Sequence, residues 1–407
     1  GLDGSSGCRS CLEHRHIKMA VYDGGMMKLC FPVFRYEISV ADDPCCYPLG
    51  AMYISAYAKK LGHTVRILNF HHREYDLFKE FEGQDAILFT GSDPFLRQIA
   101  EAAAIAHSMG IHTVAGGATA THRPEVMRGI VDSVVMGEGE GALAAALAGE
   151  GVFSSPPVPL YALPWPDYEG FGIEEYNQKN SVRYMGVLAS RGCPFRCHFC
   201  AHTTIYRARP LSDVFAEIDH YKTAYSVEII VFNDNTLNVS RERFLSICEG
   251  MKERGLKWSA AIRADRFDED MARAAKAGGC RYFVVGVESF LQDRLDKMGK
   301  GTKIDDNVRT LDLLHKHEIP YHGNLMVGFD FDSPEDIYRE LDAGRRGYNV
   351  FPLLFRQFCG VKAKPGLSKE RFDELQAEFS KLHHLMAGGG YFMWGKKKCP
   401  PEQTVNA

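Results

Sequence analysis

The stretch RGCPFRCHFCAH, residues 191–202, carries three cysteines within eight positions: Cys193, Cys197 and Cys200. Clustered cysteines in a cytosolic protein indicate metal or redox chemistry. A cubane iron–sulfur cluster is usually held by four cysteine thiolates. Three thiolates in one loop would therefore leave one iron open, much as a catalytic zinc keeps an open coordination position. The loop predicts a cluster that can bind a further molecule at its free iron.

Two other interpretations of these cysteines stay open at the level of the residues. A structural zinc ion would need a second pair of ligands, for which His198 and His202 are the nearest candidates. The cysteines could also be buried structural thiols that hold no metal.

Strand-like and helix-like segments alternate upstream of the loop, between residues 17 and 150. The strand patterns lie at 17–23, 64–70, 85–92, 111–117 and 132–141, and the helix patterns at 48–63, 94–110 and 124–131. Strands that alternate with helices of this length predict an α/β fold, here a doubly wound, Rossmann-like parallel sheet.

A second series of strand patterns begins just before the cysteine loop. Its members lie at 182–190, 227–235, 258–265, 281–289, 319–330 and 349–358, with helix patterns such as 241–255 and 268–278 between them. Six such units predict a partial (β/α)6 barrel of the TIM type. Active sites of these barrels lie at the carboxyl ends of the strands, and the cysteines follow the first strand.

A chain of 407 residues is long enough for more than one domain. Five prolines between residues 151 and 170 interrupt the periodicity and indicate a boundary. We expect a flexible N-terminal tail (1–16, without an initiator Met), a doubly wound domain (17–150), a Pro-rich linker (151–180), a partial barrel (181–358) and a C-terminal helical extension (359–407). The glycines of GGGYFMW in the extension could be lid hinges, or the segment could patch the open barrel.

The composition limits the kinds of partner. Apolar residues make up 45% of the chain, charged residues 25%, and the formal net charge is −4, so we expect a soluble protein without a nucleic-acid partner. The sequence has no run of eighteen apolar residues and no export signal, which predicts no membrane insertion and a cytoplasmic location. The short basic segments KGTK (300–303) and KKK (396–398) are expected to be solvated.

The cysteine spacing C-x3-C-x2-C, the preceding RG and Phe199 before the last cysteine resemble the radical S-adenosylmethionine (SAM) superfamily. The resemblance implies a 4Fe-4S cluster on Cys193, Cys197 and Cys200, with SAM bound at the open iron. Reductive cleavage of SAM would then give a 5'-deoxyadenosyl radical. An external electron donor such as flavodoxin or ferredoxin would supply the electron.

The same resemblance suggests SAM contacts along the barrel strands. They are Phe199, Asn233, Asp234, Asn235, Arg263, Glu288, Ser289, Val327 and Gly328. Asn233 to Asn235 stand where the superfamily usually has Gly-Gly-Glu, and GFDFDSPED (328–336) departs from the usual Gly-x-Pro-Gly-Glu-Thr. Buried charges need partners, so an internal salt bridge between Arg263 and Glu288 is the alternative explanation of that pair.

The first domain resembles the cobalamin-binding domain of cobalamin-dependent radical SAM enzymes. The segments that carry the resemblance are PLGAMYISAYAKKLGH (48–63), VAGGATATHRPE (114–125) and VDSVVMGEGEG (131–141). The implied cobalamin contacts are Thr90, Ser92, Gly116, Gly117, Thr119, Gly137 and Glu138. Glycines at these strand ends could equally serve ordinary turns.

The cobalt ion of a bound cobalamin is not expected to have a histidine ligand. The chain lacks the Asp-x-His-x-x-Gly motif, and His71, His72, His112 and His122 are isolated residues that are expected to be solvated or hydrogen-bonded. A degenerate sheet that kept the fold without the cofactor is the alternative.

The resemblance implies an enzyme that transfers a methyl group to an unactivated carbon of a small molecule or peptide, through the 5'-deoxyadenosyl radical and methylcobalamin. The first alternative is a radical rearrangement, epimerisation, dehydrogenation or ring contraction without methyl transfer. The second is an iron–sulfur scaffold or sensor that is not an enzyme.

Other cysteines have weaker patterns. Cys8 and Cys11 could form an auxiliary metal site, and the adjacent Cys45 and Cys46 could lie near a strand end. Cys359 and Cys399 could donate hydrogen or a ligand to the active site. All six are otherwise expected to be ordinary thiols.

Overall fold

The computed structural model describes residues 25–34, 48–70, 73–179, 183–201, 205–333, 335–336, 339–340 and 348–354. The expected strand at 17–23, the N-terminal tail, and the C-terminal extension with its glycine segment lie outside these residues, as do the six cysteines of the weaker patterns. The chain divides into two compact units. The first comprises 1–32, 58–68 and 75–157, and the second comprises 33–57, 69–74 and 158–407.

The first sheet has six strands in the order β2-β1-β3-β4-β5-β6. Pairing from β1 through β3, β4 and β5 to β6 is parallel, and this strand order is that of a doubly wound fold, as predicted. Its elements are β1 Lys28–Val33, α1 Leu49–Lys60, β2 Thr64–Asn69, α2 Leu77–Phe81, β3 Ala86–Thr90, α3 Leu96–Ser108, β4 His112–Gly116, α4 Ala118–His122, α5 Pro124–Arg128, β5 Ser133–Met136, α6 Leu143–Ala148 and β6 Gly151–Ser154.

Strand β6 lies in the segment that the prolines led us to assign to the linker. It pairs in parallel with β5, and Met136 lies opposite Ser154. Four residues with alternating burial are too short for a periodic signal, so the prolines that follow, from Pro156 onwards, dominated the pattern. The sheet therefore continues four residues beyond the expected boundary at residue 150.

The second sheet also has six strands, in the order β14-β13-β12-β11-β10-β7, and every pair is parallel. This sequential order confirms the predicted partial barrel. The elements of this part of the chain are α7 Tyr168–Phe171, α8 Ile173–Lys179, β7 Tyr184–Val187, β8 Ser190–Arg191, β9 Arg207–Ala208, α9 Leu211–Tyr225, β10 Ile229–Phe232, α10 Arg241–Arg254, β11 Lys257–Arg263, α11 Glu269–Ala277, β12 Cys280–Glu288, α12 Gln292–Lys297, α13 Ile304–Lys316, β13 Tyr321–Val327 and β14 Val350–Leu354.

The two faces of the barrel sheet differ in chemistry because side chains alternate along each strand. On the face towards the helices, Trp258 and Phe283 pack edge-to-face at 5.6 Å, and Phe244 of α10 joins them. The neighbouring residues Tyr282 and His322 lie on the opposite, inner face, where the Tyr282 hydroxyl is 2.6 Å from His322 Nδ1. The inner face is thus partly polar.

None of the described helices is both long enough and apolar enough to span a membrane.

Candidate functional site

The cysteine loop connects the two short antiparallel strands β8 and β9, just after β7. Cys193, Cys197 and Cys200 lie on this connection and are of intermediate burial. Between Gly192 and Ala201 the loop has no carboxylate, so its own sulfur atoms are its soft metal ligands. Among the described residues, no three His, Cys, Asp or Glu side chains converge closely enough to hold a metal ion. The residue types of the loop fit an iron–sulfur cluster, although the structure does not bring the three thiols together at metal-binding distance.

The turn that precedes the loop is held by two charged side chains and one backbone amide, which come from separate parts of the chain. Asp234, after β10, accepts hydrogen bonds from the Ala189 amide at 2.9 Å and from the Ser190 hydroxyl. Arg243 of α10 donates to the Ala189 carbonyl at 2.8 Å, and the Arg209 amide donates to the same oxygen at 2.9 Å. The cysteine loop therefore starts from a rigid turn.

Burial raises the pKa of Asp234 to about 6, although hydrogen bonds from Ser190 and Ala189 and the charge of Arg243 oppose the rise. We expected its carboxylate near the SAM amino group, but both carboxylate oxygens accept hydrogen bonds from the turn. The neighbouring Asn233 is half-buried and Asn235 is exposed. Of these three residues, Asp234 is the one built into the support of the loop.

The tip of the loop packs on aromatic and cationic groups. The Phe195 ring lies under the Arg263 guanidinium, whose carbon is 3.7 Å from the ring centroid. Phe199 packs against Phe329, with their centroids 6.3 Å apart, at the edge of a cluster that includes Met298. These contacts hold both sides of Cys197 against the carboxyl ends of the strands.

His198 links the loop to the turn after α12 through hydrogen bonds. Its amide donates to the Met298 carbonyl at 2.8 Å, and its Nδ1 lies 3.0 Å from the Lys297 carbonyl. Gly299 has φ +61°, and a Cβ there would lie 2.7 Å from His198 Nε2. Because Nδ1 must carry a proton to donate to a carbonyl, only Nε2 is left as a metal ligand. The other candidate for a zinc site, His202, lies outside the described residues.

Arg263 and Glu288 do not form the salt bridge that we considered between them. Arg263 Nε is 2.9 Å from Asp265 Oδ1, and Lys300 Nζ is 2.9 Å from Glu288 Oε1. Both pairs are largely buried, so each charge has an opposite charge beside it. Lys300 is therefore not the solvated residue that KGTK suggested, and Thr302 of the same segment is buried as well.

Glu288 lies at the end of β12 with φ +63°, a left-handed conformation that is unfavourable for a side chain of this kind. Strained residues are retained where the surroundings hold them, often at functional sites. The strain makes Glu288 a candidate binding residue on structural grounds, and its partner Lys300 was missed because no sequence pattern marks a buried lysine.

Ser289 belongs to a buried ionic network. Its hydroxyl donates to Glu340, and Arg294 bridges Glu340 at 2.5 Å and Asp332 at 2.8 Å. The Gly328 amide donates to Asp332 at 2.8 Å. The segment 328–336, which departs from the superfamily pattern, is thus held in place by the carboxylate of its own Asp332. Val327, the last residue of β13, is buried.

In the first unit, the loops after β3 and β4 pack closely through glycines. Gly117 has φ +100°, and a Cβ there would lie 2.9 Å from the Gly91 carbonyl oxygen. Gly117 is therefore required by backbone packing. The half-buried Gly116 precedes it at the end of β4.

Side chains connect the same loops. Thr119 Oγ1 donates to Asp93 at 2.7 Å, and Arg123 also donates to Asp93. The hydroxyl of Ser92 is buried without a hydrogen-bond partner among the described residues. A buried hydroxyl of this kind needs a partner, so Ser92 fits a ligand at the strand ends.

The remaining candidate cobalamin contacts are more exposed to solvent. Thr90, at the end of β3, and Gly137, after β5, are exposed, and Glu138 is half-buried. The Gly137 amide donates to Thr121 Oγ1 at 3.0 Å.

The histidines of the first unit have ordinary surroundings where they are described. His112 begins β4, at the end of the strand opposite to Gly116, and its Nε2 lies 2.9 Å from the Ala146 carbonyl. His122 ends α4 and is half-buried. His71 and His72 lie outside the described residues.

Two family models match the chain. Residues 41–147 match the B12 binding domain, and residues 187–343 match the radical SAM superfamily. These matches confirm the predicted pairing of a cobalamin-binding domain with a radical SAM domain, and with it the cofactors: a 4Fe-4S cluster, SAM and cobalamin.

One curated relative is similar to this chain over most of its length, and another over about half of it. The uncharacterized methyltransferase PH0819 of Pyrococcus horikoshii is 26% identical over 358 residues, which cover 78% of this chain and 76% of that protein. The bacteriochlorophyllide d C-12(1)-methyltransferase of Chlorobaculum tepidum is 28% identical over 207 residues, 48% of this chain and 45% of that protein.

A solved structure has the same arrangement of strands and helices. The radical SAM methyltransferase TsrM from Kitasatospora setae, with cobalamin and a 4Fe-4S cluster bound, aligns with a TM-score of 0.68 over 83% of this chain and 74% of that chain. At 17% identity this similarity concerns the fold alone.

Proposed function

We propose that this chain, a radical SAM enzyme with a B12 binding domain ahead of its barrel, transfers a methyl group to an unactivated carbon of a small molecule or peptide. The observation that carries the proposal is the presence of both domains in one chain, at residues 41–147 and 187–343. Similarity to PH0819, which is named a methyltransferase, supports it over 78% of the chain.

We propose that Cys193, Cys197 and Cys200 hold the 4Fe-4S cluster. When bound, the cluster would supply one electron for the reductive cleavage of SAM, and the resulting radical chemistry would activate a carbon–hydrogen bond of the substrate. The protein contributes a fixed loop, because Phe195 and Phe199 pack on either side of Cys197.

The proposed SAM contacts divide into two groups. Phe199, Asn233, Asn235, Glu288, Val327 and Gly328 stay proposed contacts of SAM, and Lys300 joins them as the partner of Glu288 at 2.9 Å. A buried pair of opposite charges suits the ammonium and carboxylate groups of an amino acid. Asp234, Arg263 and Ser289 are instead proposed to support the site, since the side chain of each is hydrogen-bonded to backbone groups of the surrounding turns.

For cobalamin, the proposed contacts are Thr90, Ser92, Gly116, Gly117, Thr119, Gly137 and Glu138. The buried Ser92 hydroxyl supports this proposal most directly. Thr119 is engaged by Asp93 and would act through backbone position. The protein's task here is to hold the cofactor in place, while the cofactor carries the methyl group.

We further propose that the enzyme works in the cytoplasm and receives its electron from a small redox protein such as flavodoxin or ferredoxin. Its domains would be those expected from the sequence, with the end of the first domain moved from residue 150 to the end of β6 at Ser154.

The proposal is tested by anaerobic purification and reconstitution, followed by turnover with SAM whose methyl group is deuterated. An absorption spectrum measures bound corrinoid and iron, and mass spectrometry of products formed from a cell extract measures deuterated methyl transfer. S-adenosylhomocysteine together with a labelled product supports methylation. 5'-Deoxyadenosine alone would favour radical chemistry without methyl transfer, and a reducible cluster without SAM cleavage would favour a scaffold or sensor.

A further inference from the structure

Arg263 is held in one position by its neighbours. It is the last residue of β11, and the side chain of Asn238 binds its backbone from both sides. Asn238 Oδ1 accepts from the Arg263 amide at 2.9 Å, and Asn238 Nδ2 donates to the Arg263 carbonyl at 2.9 Å. The direction of the Arg263 side chain is therefore fixed by the barrel.

Each nitrogen of the Arg263 guanidinium has a protein partner. Nε donates to Asp265 at 2.9 Å, while Nη2 donates to the Lys300 carbonyl at 2.8 Å and to Thr302 at 3.2 Å. Nη1 donates to Cys197 Sγ at 3.7 Å. Since arginine has five N–H donors in a rigid fork, this arrangement leaves little capacity for the carboxylate of SAM.

The contact with Cys197 has an electrostatic consequence. The Arg263 side chain, which is 7% exposed, carries a positive charge beside the sulfur, and Phe195 covers the face of the guanidinium. Charge and hydrogen bonds to the sulfurs set the reduction potential of an iron–sulfur cluster. A cluster gains one negative charge when it takes up one electron, so a cation at this place stabilises the reduced form.

We infer that Arg263 is a positioning residue of the cluster, which holds the Cys197 thiolate by a hydrogen bond and raises the reduction potential. This inference rests on the proposed function, because it takes Cys197 as a cluster ligand. Asp265 neutralises part of the Arg263 charge through its ion pair with Nε. The Nη1 group of Arg263 still makes the direct contact with the sulfur.

The neighbouring Arg266 is a matched control. It faces the same Phe195 ring at 5.5 Å and lies 3.8 Å from Asp265, but its side chain is 53% exposed. Replacing Arg266 removes the same formal charge from nearly the same place. Arg266 has no hydrogen bond to the sulfur, however, and solvent screens its charge.

The experiment compares the midpoint potentials of reconstituted full-length wild-type, Arg263→Gln, Arg263→Lys and Arg266→Gln proteins. Each is titrated with dithionite, which donates one electron per cluster, and the reduced cluster is followed by electron paramagnetic resonance. Iron content and circular dichroism measure loading and folding. Molecules without a cluster give no signal, so partial loading does not distort the potential.

Arg263→Gln is expected to have a more negative midpoint potential than wild type, Arg263→Lys an intermediate one, and Arg266→Gln that of wild type. If Arg263→Gln does not assemble a cluster, the shift in midpoint potential of Arg263→Lys tests the inference in its place. A midpoint potential equal to wild type in the deciding variant overturns the inference alone. Wild-type protein that takes up no cluster overturns the inference and the proposed function together, whereas a reducible cluster that never cleaves SAM overturns the function only.

Discussion

Replacing Asp234 by asparagine removes a titrating carboxyl from beneath the turn that precedes the cysteine loop. Asn can still accept the Ala189 amide, and its own amide group can donate to Ser190, whose hydroxyl then accepts. The main change is therefore the loss of a buried charge. Burial raises the pKa of Asp234 from 3.8 to about 6 in the folded protein.

An acid whose pKa is higher in the folded than in the unfolded state stabilises the fold while it is protonated. That stability is fully present below the unfolded pKa and is lost as the pH rises through about 6. At about 1.4 kcal/mol per pH unit, the full difference is about 3 kcal/mol. Between pH 5 and pH 7.5 the loss is roughly 1.4 kcal/mol, and Asp234→Asn should not show it.

Urea unfolding followed by tryptophan fluorescence measures this difference. Trp165 and Trp258 belong to the second unit, as does Asp234, so their fluorescence reports the relevant part of the chain. The free energy of unfolding of wild type, relative to Asp234→Asn, should fall by roughly 1.4 kcal/mol from pH 5 to pH 7.5.

Asp268→Asn is the matched control, with the opposite sign. Burial raises the pKa of Asp268, but hydrogen bonds from Arg241 and from the Met271 amide outweigh it and lower the pKa overall. Wild type should therefore lose stability relative to Asp268→Asn as the pH falls towards the lowered pKa. A difference between wild type and Asp234→Asn that does not change with pH would refute the reasoning.

Three further predictions concern packing. Arg294→Met leaves two fully buried carboxylates without their cation, so the free energy of urea unfolding should fall by about 3–5 kcal/mol, and a loss below about 1 kcal/mol would contradict the network. Gly299→Ala brings a Cβ to 2.7 Å from His198 and should lower iron content and unfolding stability more than Gly301→Ala, which has the same left-handed strain but open space. Equal effects of the two would exclude the His198 contact. Gly117→Ala should cost about 2–3 kcal/mol in unfolding of the first unit and reduce bound corrinoid, whereas unchanged corrinoid binding would separate that loop from the cobalamin site.

Sequence patterns predicted most of the longer strands and helices and their order, because strand length, helix length and apolar alternation are local properties. Strand β1 at Lys28–Val33 was not among the predicted segments. Strand β10 lies within the predicted segment 227–235, and strand β12 begins one residue before the predicted segment 281–289. The parallel order followed from the alternation of strands and helices. Strand β6 was missed because four residues between a glycine and a run of prolines carry too little periodicity.

The partners of the polar site residues could not be predicted in the same way. Lys300 was assigned to solvent from its neighbours in the chain, but the structure buries it beside Glu288 of the preceding strand. Arg263 and Cys197 are 66 positions apart, and only the packing of the cysteine loop on the strand ends brings guanidinium and sulfur together. Contacts of this kind depend on tertiary packing, which a motif does not encode.

Cleavage of SAM by reconstituted protein tests the central claim most directly, because it needs no knowledge of the substrate. Wild-type protein reduced with dithionite should convert SAM into 5'-deoxyadenosine, measured by mass spectrometry. The variant with Cys193, Cys197 and Cys200 all replaced by alanine should form none. Equal amounts from both proteins, or a wild-type protein that binds zinc in place of iron and forms no 5'-deoxyadenosine, would contradict the account.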